Sequence, residues 1–257
     1  MFKKIITKQI IHFNIKYTIN RNMKKKILIF SPTFNERNNI IQFLNKFREN
    51  YNKYDLLIVD DNSPDNTFLV LKLNSRLNKN ITIKKRKSKL GLDTVYKYAF
   101  KYAFENNYDN LISIDFDLQH NLADIKKIIF YLKNYNFVIG SRYINGGKCN
   151  LKGFRYILSF YGNKLIKFIL KLPLDEFTTA LRGYDKKVIK NLSSSNFSTK
   201  GYSFQTEVVN KIYKKQFRVK EFPIIFGNRS SGKSKIPKLE SLRTIIYLIK
   251  VLFKSYK

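Results

Sequence analysis

The sequence has a single cysteine, no tryptophan and no glycine-rich nucleotide fingerprint. With Cys149 alone, no disulfide can form within the chain, and so thiol-poor a composition fits a reducing cytoplasm. No G-x-G-x-x-G motif follows the first predicted strand, so a dinucleotide-binding Rossmann fold loses its main support. No apolar run reaches the roughly 20 residues needed to cross a bilayer. The best candidate, residues 244–253, is too short and contains Lys250.

Acidic residues are also scarce: 18 Asp and Glu stand against 50 Lys and Arg, which gives a formal net charge of +32. Such a charge favours polyanionic partners, namely nucleic acid, an anionic membrane or phosphorylated substrates. The abundance of Lys, Asn and Ile is also what an AT-rich coding sequence produces, so we assign only part of the charge to function. Because no RNA-binding aromatic motif, helix-turn-helix or zinc-ligand spacing is evident, we expect no specific nucleic-acid partner.

Short apolar runs alternate with amphipathic ones along the chain. The apolar runs predict five strands, at residues 26–30, 56–59, 81–83, 110–114 and 136–140. Helical spacing of apolar residues predicts a helix with Ile40, Ile41, Leu44 and Phe47, and further helices at residues 94–106 and 240–253. Strands alternating with helices indicate an α/β fold with a mostly parallel sheet covered on both faces. Ligands of such sheets bind beyond the carboxyl ends of the strands, where this sequence has its polar clusters.

Asp115, Asp117 and Gln119 follow the fourth predicted strand. Side chains two residues apart in an extended segment point the same way, so two carboxylates and an amide oxygen are expected to converge. Hard oxygen ligands of this kind suit Mg²⁺ or Mn²⁺ that also binds substrate phosphates. The alternative is a polar turn that holds no metal, but the position directly after an apolar strand favours the metal site.

Two further polar clusters follow the first and second predicted strands. Asp60 and Asp61 can accept hydrogen bonds from a base or a ribose hydroxyl. They can equally cap the next helix, a role that Asp65 or Asn66 also suits. Glu36 suits either ligand binding or the first turn of the following helix, where an acid favours the helix dipole.

Seven short motifs occur in one order between about residue 26 and residue 240. They read P-T-F-N-E-R-N-N-I from Pro32, V-D-D-N-S-P-D-N-T from Val59, R-K-S-K-L-G-L from Arg86, D-F-D-L-Q-H from Asp115, G-S-R-Y from Gly140, G-Y-S-F-Q-T-E from Gly201 and R-S-S-G-K-S-K from Arg229. Together they resemble the motifs of family 2 glycosyltransferases of the polyprenol-phosphate (dolichol-phosphate) mannose synthase type. Each motif is weak by itself, but the complete series in the family's order is specific.

This resemblance implies a GT-A fold and transfer of mannose from GDP-mannose to a polyprenyl (dolichyl) phosphate, with Mg²⁺ or Mn²⁺ as cofactor. The donor-binding residues that it implies are Pro32, Phe34, Glu36, Val59, Asp61, Asp115, Phe116, Asp117, Arg229 and Lys235. The metal ligands that it implies are Asp115, Asp117 and Gln119. The acceptor phosphate would be bound by Arg142, Arg155 and Ser159, and the residues expected to act in catalysis are Asp115, Asp117, Arg142 and Arg229.

The chain length of 257 residues and the hydrophobic fraction of 44% fit one large domain of this kind. We expect residues 1–23 to form a basic N-terminal extension, residues 24–238 the GT-A domain, and residues 239–257 an amphipathic helix that is a candidate for the membrane surface. Residues 1–22 lack an apolar core followed by a small-residue cleavage site, so they are not expected to form a secretory signal.

Four positions depart from the family's pattern. Phe34 replaces Tyr, Phe116 replaces a small Ala and is expected to crowd the metal turn, Asp93 stands where Gly is usual, and Glu176 replaces Asp. Every expected metal ligand and phosphate-binding cation is present, but the departures leave the donor sugar open. One alternative is a family member that moves glucose or an N-acetylhexosamine to a polyprenyl phosphate or a glycan. Another is a non-catalytic, membrane-associated binding subunit.

An acceptor phosphate is already anionic near neutral pH, so it needs positioning and charge screening but no dedicated protein base. One in-line attack would invert the anomeric centre. Because the implied acceptor is a lipid, we expect a cytoplasmic protein, peripheral on the cytoplasmic face of an anionic membrane. Residues 239–253, with residues 1–22, are candidates for a membrane-surface helix, and ordinary packing against the domain is the alternative. A separate membrane-anchor subunit is a further candidate partner.

Overall fold

The computed structural model describes residues 25–76, 78–229 and 240–254. The strands in these ranges are β1 (Ile27–Thr33), β2 (Asp55–Asp60), β3 (Ile81–Lys85), β4 (Asn110–Ser113), β5 (Phe137–Ser141), β6 (Lys148–Cys149), β7 (Arg182–Asp185), β8 (Val219–Pro223) and β9 (Ile225–Phe226). The α-helices are α1 (Ile40–Tyr51), α2 (Thr67–Ser75), α3 (Leu92–Glu105), α4 (Asp124–Tyr131), α5 (Phe154–Leu170), α6 (Lys186–Ser193), α7 (Phe204–Lys214) and α8 (Glu240–Lys254). Short 3₁₀ turns at Arg37–Asn39 and Gly201–Ser203 precede α1 and α7. The predicted extension at residues 1–23 lies outside the described residues.

Seven strands form one sheet in the order β3-β2-β1-β4-β7-β5-β8. The pairs of β1 with β2 and β4, of β2 with β3 and of β5 with β8 are parallel, whereas β7 runs antiparallel to both β4 and β5. The predicted mostly parallel sheet is therefore confirmed. The polar sequence Arg-Gly-Tyr-Asp of β7 gave no strand signal. Its Gly183 lets α4 approach closely, because a Cβ at this position would collide with Ile128.

Helices cover both faces of the sheet, and side chains alternate between the two cores. On β1, Ile27 and Ile29 face a core shared with α1, α2 and α4. Leu28 and Phe30 face the opposite core, shared with α3, α5, α6, α7 and α8. This double coverage explains the continuously apolar central strands, since both sides of the strand are removed from water.

The predicted elements are found at nearly the predicted positions. The largest difference is in β1, which continues through Pro32 to Thr33, because Thr33 still pairs with Asp60 of β2. Helix α3 begins at Leu92, two residues before the predicted start. The predicted helix with Ile40, Ile41, Leu44 and Phe47 is present as α1, in which Ile41 is 58% exposed whereas the core-facing Leu44 is fully buried.

The predicted C-terminal helix is present as α8. Tyr247 and Leu248 are buried against the domain, and the Tyr247 hydroxyl accepts a hydrogen bond from Asn210 Nδ2 at 2.8 Å. Packing against the domain, the alternative to a membrane role, therefore holds for this side of the helix. Among the described helices, none is both long and apolar enough to cross a membrane.

Candidate active site

Three polar segments meet at one edge of the sheet. Strands β2, β1 and β4 are parallel neighbours, so the segments that follow them leave the same edge. Backbone bonds join these segments to β1: Asp61 N donates to Thr33 O at 3.0 Å, and Ile114 N donates to Phe30 O at 3.0 Å. The Ser31 hydroxyl also donates to Ile114 O at 2.7 Å. The expected location at the carboxyl ends of the strands is thus where the structure gathers the motif residues.

Residues 115–119 form a turn, not an extension of strand β4, which ends at Ser113. Leu118 has a left-handed backbone, with φ of 62°, and Asp117 Oδ1 accepts a hydrogen bond from Gln119 N at 3.1 Å. The expectation that alternation in an extended chain brings these side chains together is therefore wrong. The turn itself directs Asp117 and Gln119 inward, where both are mostly buried, while the carboxylate of Asp115 is 38% exposed.

Phe116 points away from this turn into the core, and its ring stacks on Phe43 of α1 with centroids 4.1 Å apart. The expectation that its bulk crowds the metal turn is wrong, because the large ring fills a space beneath the sheet. Because its ring is buried in the core, Phe116 can contact a donor only through its backbone.

Arg229 joins the two inward-facing side chains of the turn. Its Nη2 lies 2.9 Å from Asp117 Oδ2 and donates to Gln119 Oε1 at 3.2 Å. The segment that carries Arg229 is held against the turn by two further bonds, from Gly227 N to Gln119 O at 2.8 Å and from Gln119 Nε2 to Gly227 O at 3.2 Å. One carboxylate oxygen and one amide oxygen thus converge on a single cationic nitrogen. Lys235, the other expected donor-binding cation of this segment, lies outside the described residues.

The oxygen atoms of Asp117 and Gln119 that meet at Arg229 are also candidate ligands for a divalent ion. Asp117 Oδ2 and Gln119 Oε1 are hard oxygen donors that already share one cation, the Arg229 guanidinium. Within residues 25–76, 78–229 and 240–254, no group of three or more His, Cys, Asp or Glu could hold a metal. A site with few carboxylates suits Mg²⁺ or Mn²⁺, which usually keeps room for substrate phosphates and water. The donor set fits such an ion.

The remaining donor-site candidates divide into edge and core residues. Pro32 and Phe34 are half-buried at the edge, and Lys89 Nζ lies 3.9 Å from the centroid of the Phe34 ring. Glu36 is buried and accepts a hydrogen bond from Asn39 Nδ2 at 2.6 Å. The Val59 side chain is fully buried in the core, a position that disfavours contact of this side chain with a donor.

Asp61 organises the loop that precedes α3. Its carboxylate oxygens accept hydrogen bonds from Leu90 N at 3.0 Å and Gly91 N at 2.9 Å, and Arg86 Nη1 lies 3.2 Å away. It therefore does not cap α2, where Asp65 instead accepts a hydrogen bond from Thr67 N at 3.0 Å. Asp61 therefore connects the second and third motifs. The ion pair of Arg86 with Asp61 was not expected from the sequence.

Arg142, expected to bind the acceptor phosphate, forms a buried ion pair with Glu176. Its Nε and Nη2 donate to the two Glu176 carboxylate oxygens at 2.7 and 2.8 Å, and Nη2 also donates to Thr178 Oγ1 at 2.8 Å. Burial by itself would raise the pKa of Glu176, but Arg142 and these hydrogen bonds hold that pKa below its usual value. Conversely, the Glu176 carboxylate outweighs the burial of Arg142 and raises the pKa of the guanidinium. Both groups are therefore charged.

The other two acceptor-site candidates lie on α5. Ser159 accepts a hydrogen bond from the Tyr143 hydroxyl at 2.7 Å, and the Tyr143 ring lies 5.0 Å from the Arg142 guanidinium carbon. Asn163, one turn further along, accepts a hydrogen bond from Phe177 N at 2.7 Å and so fixes α5 against the segment that carries Glu176. Arg155 is exposed on α5, one turn before Ser159.

His120 connects the turn at residues 115–119 with the Arg142 region, a role that its place in the D-F-D-L-Q-H motif suggests but sequence reasoning did not assign. Its Nε2 lies 3.9 Å from Asp115 Oδ2 and 3.5 Å from Thr179 Oγ1. Phe226 packs against both groups, with its centroid 5.0 Å from the His120 ring and 5.2 Å from the Arg142 guanidinium. Burial, reinforced by the charge of Arg142, lowers the pKa of His120 to about 3, so its imidazole is neutral.

The chain is similar in sequence to known glycosyltransferases. The sequence profile of glycosyl transferase family 2 matches residues 28–193. An undecaprenyl-phosphate mannosyltransferase from Micrococcus luteus is 29% identical over 82% of this chain and 87% of its own length. A polyprenol monophosphomannose synthase from Mycolicibacterium smegmatis is 29% identical over 82% of this chain and 81% of its own length.

Two solved structures show the same fold at low sequence identity. Glucosyl-3-phosphoglycerate synthase from Mycobacterium tuberculosis, in complex with Mn²⁺, uridine diphosphate and phosphoglyceric acid, gives a TM-score of 0.64 at 14% identity, covering 88% of this chain and 78% of that one. A mannosyltransferase from Pyrobaculum calidifontis, in complex with GDP-mannose and Mn²⁺, gives 0.59 at 14% identity, covering 90% and 70%. The expected GT-A fold is confirmed.

Proposed function

The chain belongs to glycosyl transferase family 2, and from this premise we propose that it transfers mannose from GDP-mannose to a polyprenyl (dolichyl) phosphate. The two curated relatives named above are mannosyltransferases of polyprenyl phosphates, and their similarity extends over most of this chain. The observation that carries the proposal is the convergence of Asp117 Oδ2 and Gln119 Oε1 on the cationic Arg229 Nη2. A cation-binding pocket beside a basic segment is what the diphosphate of a nucleotide-sugar requires.

On the donor side, Asp117 and Gln119 would hold a Mg²⁺ or Mn²⁺ ion, with Asp115 at the same centre directly or through water. Such an ion, when bound, neutralises negative charge on the leaving diphosphate. Arg229, already within 2.9 Å of Asp117, would bind the diphosphate from the same side, and Lys235 would act with it. Edge residues Pro32, Phe34, Glu36 and Asp61 are proposed to hold the nucleoside.

On the acceptor side, no dedicated protein base is proposed, because a phosphate monoester is anionic near neutral pH. Its approach needs positive charge and orientation, which Arg155 and Ser159 would supply directly. Arg142 would contribute mainly as the cation behind this site, since Glu176 already occupies two of its donor groups. A single displacement by the phosphate oxygen would invert the anomeric centre.

The lipid acceptor places the proposed reaction at a membrane surface. We propose that the protein is cytoplasmic and peripheral on the cytoplasmic face, attracted by anionic headgroups to its net charge of +32. A separate membrane subunit that anchors it is part of this proposal.

The function is tested by a screen of radiolabelled nucleotide-sugars with polyprenyl phosphate, in Mn²⁺ and in EDTA. We expect GDP-mannose to be the preferred donor and turnover to be lost in EDTA and in the Asp117→Asn and Gln119→Ala variants. The matched control is Glu49→Gln, the same change of carboxylate to amide at an exposed position of α1. Preference for a glucose or N-acetylhexosamine donor would replace the proposed substrate. Full turnover of Asp117→Asn in EDTA would remove the proposed metal role.

A further inference from the structure

Helix α5 is unusually exposed for a helix of an α/β domain. It has 17 residues, of which only Asn163 and Ile166 are buried. Three of its aromatic side chains are among the most exposed large hydrophobic groups in the described chain: Phe154 at 75%, Tyr161 at 62% and Phe168 at 79%. A helix that is apolar around most of its circumference is normally covered on all sides. Most of α5 is not covered by the rest of the described chain.

The exposed groups form one continuous stripe along the helix. The α5 stripe consists of Phe154, Ile157, Leu158, Tyr161, Leu165 and Phe168, which recur at three- and four-residue intervals. Contiguous apolar surface of this kind marks an interaction site, whereas isolated exposed hydrophobic residues need no explanation. The neighbouring helix α8, which contacts α5, exposes a second set of apolar residues that includes Ile245, Ile249 and Phe253.

The charges around the α5 stripe are predominantly positive. Residues 151–174 contain five cations, Lys152, Arg155, Lys164, Lys167 and Lys171, and no carboxylate, and the next residue, Asp175, pairs with Lys167 at 2.7 Å. Lys164 Nζ lies 4.4 Å from the Phe160 ring centroid, so its stem runs along the apolar surface while its charge remains accessible. Apolar residues flanked by cations are typical of helices that lie in the interface of an anionic bilayer.

The positive charge around the α5 stripe disfavours its coverage by a second copy of this chain or by residues 1–24 of the same chain. A second copy would bring a net charge of +32 against an equally basic face. Residues 1–24 contain Lys and Arg but no acidic residue, so they also lack the charge complement. Anionic lipid headgroups supply both the complementary charge and an apolar interior.

We infer that the α5 stripe docks into the headgroup region of an anionic membrane, with α5 parallel to the surface. Ser159 lies on the same helix, and its hydroxyl is bonded to Tyr143 beside Arg142. Docking through α5 thus brings the membrane, in which a polyprenyl phosphate resides, to the helix that carries the proposed acceptor-phosphate site. The inference rests on the proposed function only for this last consequence, so its test uses vesicles without polyprenyl phosphate or donor.

The absence of tryptophan in the sequence permits a site-specific test. Tyr161→Trp and Phe168→Trp each place one fluorescent reporter on the α5 stripe. The matched control is Phe130→Trp on α4, which is 60% exposed and belongs to a helix that covers the opposite face of the sheet. Each full-length protein is titrated with vesicles of phosphatidylglycerol and phosphatidylcholine whose acyl chains are brominated. We expect a blue shift and quenching for both α5 reporters, and neither for the Phe130→Trp control.

A second measurement keeps the inference falsifiable should a reporter perturb the surface. Phe154→Ser/Phe168→Ser is expected to lower the vesicle partition coefficient about tenfold or more while Phe130→Ser does not. Equal quenching at all three reporters, or none at the α5 reporters, would overturn the inference. So would α5 reporters that are blue-shifted before vesicles are added, combined with a dimer in sedimentation that the double substitution dissociates, because the stripe would then be a protein interface.

Discussion

Arg142 and Glu176 form a two-bond ion pair inside the protein, with Nε–Oε2 and Nη2–Oε1 distances of 2.7 and 2.8 Å. Glu176 is fully buried and Arg142 is only 8% exposed. Glu176 Oε1 also accepts hydrogen bonds from the backbone N–H groups of Thr178 and Thr179 at 3.0 and 3.1 Å. The pair therefore fixes the segment against which α5 packs, and a carboxylate longer than the family's usual Asp completes it.

Removing one member of this pair leaves the other charged and buried. We expect Glu176→Ala to lower the free energy of unfolding by about 3–5 kcal/mol, the usual cost of an uncompensated buried charge. Glu176→Asp keeps the charge but shortens the reach, so its cost should be smaller. Urea unfolding at neutral pH measures both variants, and a Glu176→Ala protein as stable as the wild type would show that the ion pair does not stabilise the fold.

The contact of Arg229 with Asp117 and Gln119 is expected to lower the affinity of the site for Mn²⁺. Because a guanidinium nitrogen lies between the two oxygens, an incoming divalent ion must displace it. In the absence of nucleotide, Arg229→Ala should bind Mn²⁺ about tenfold more tightly, measured by calorimetry. Its kcat should nevertheless fall by roughly 10²–10³, because a cation that stabilises the leaving diphosphate is lost.

The control for that experiment is Arg218→Ala, which removes an exposed guanidinium directly before β8. It should leave both Mn²⁺ affinity and kcat unchanged. Weaker Mn²⁺ binding in Arg229→Ala than in the wild type would contradict a competing role and make Arg229 part of the metal-binding arrangement.

The apolar strands of the central sheet and the edge that carries the site could be predicted because burial on both faces leaves a direct mark on the sequence. The convergence of Asp117 and Gln119 was predicted for a wrong reason, since a left-handed residue, Leu118, turns the chain there. The direction of Phe116 was not predictable, because it depends on Phe43, which is distant in sequence. The same holds for Arg142, whose ion-pair partner is contributed by a loop 34 residues away.

Asp93, which stands where the family usually has Gly, is explained by two contacts. Its Oδ1 accepts a hydrogen bond from Gly201 N at 2.9 Å, and its Oδ2 lies 3.1 Å from Lys97 Nζ. Asp93 therefore connects the start of α3 with the turn that precedes α7. Asp93→Gly should destabilise the protein by about 1–3 kcal/mol, because a backbone N–H loses its buried acceptor. Asp93→Asn, which retains an acceptor oxygen, should cost less in thermal unfolding, and an equal loss in both variants would assign the effect to charge alone.

Glu221 gives the protein a pH-dependent stability of predictable sign. Burial raises the pKa of its carboxyl group to about 7 from an ordinary value of 4.5, and the charge of Asp175 adds to the rise. Backbone N–H groups of Asp175 and Glu176 donate to this carboxylate at 2.8–3.0 Å, which limits the shift. Between pH 4.5 and 7 the folded protein consequently binds more protons at this site than the unfolded chain does.

The contribution of Glu221 to the free energy of unfolding is therefore fully present below pH 4.5 and is lost as the pH rises to about 7. Glu221→Gln removes this titration while keeping one acceptor oxygen, so the comparison separates Glu221 from all other carboxylates. The difference in unfolding free energy, wild type minus variant, should fall by up to about 3 kcal/mol across that pH range in urea titrations. A difference that is flat or rises with pH would mean that the Asp175 and Glu176 amides stabilise the charged carboxylate enough to cancel the cost of its burial.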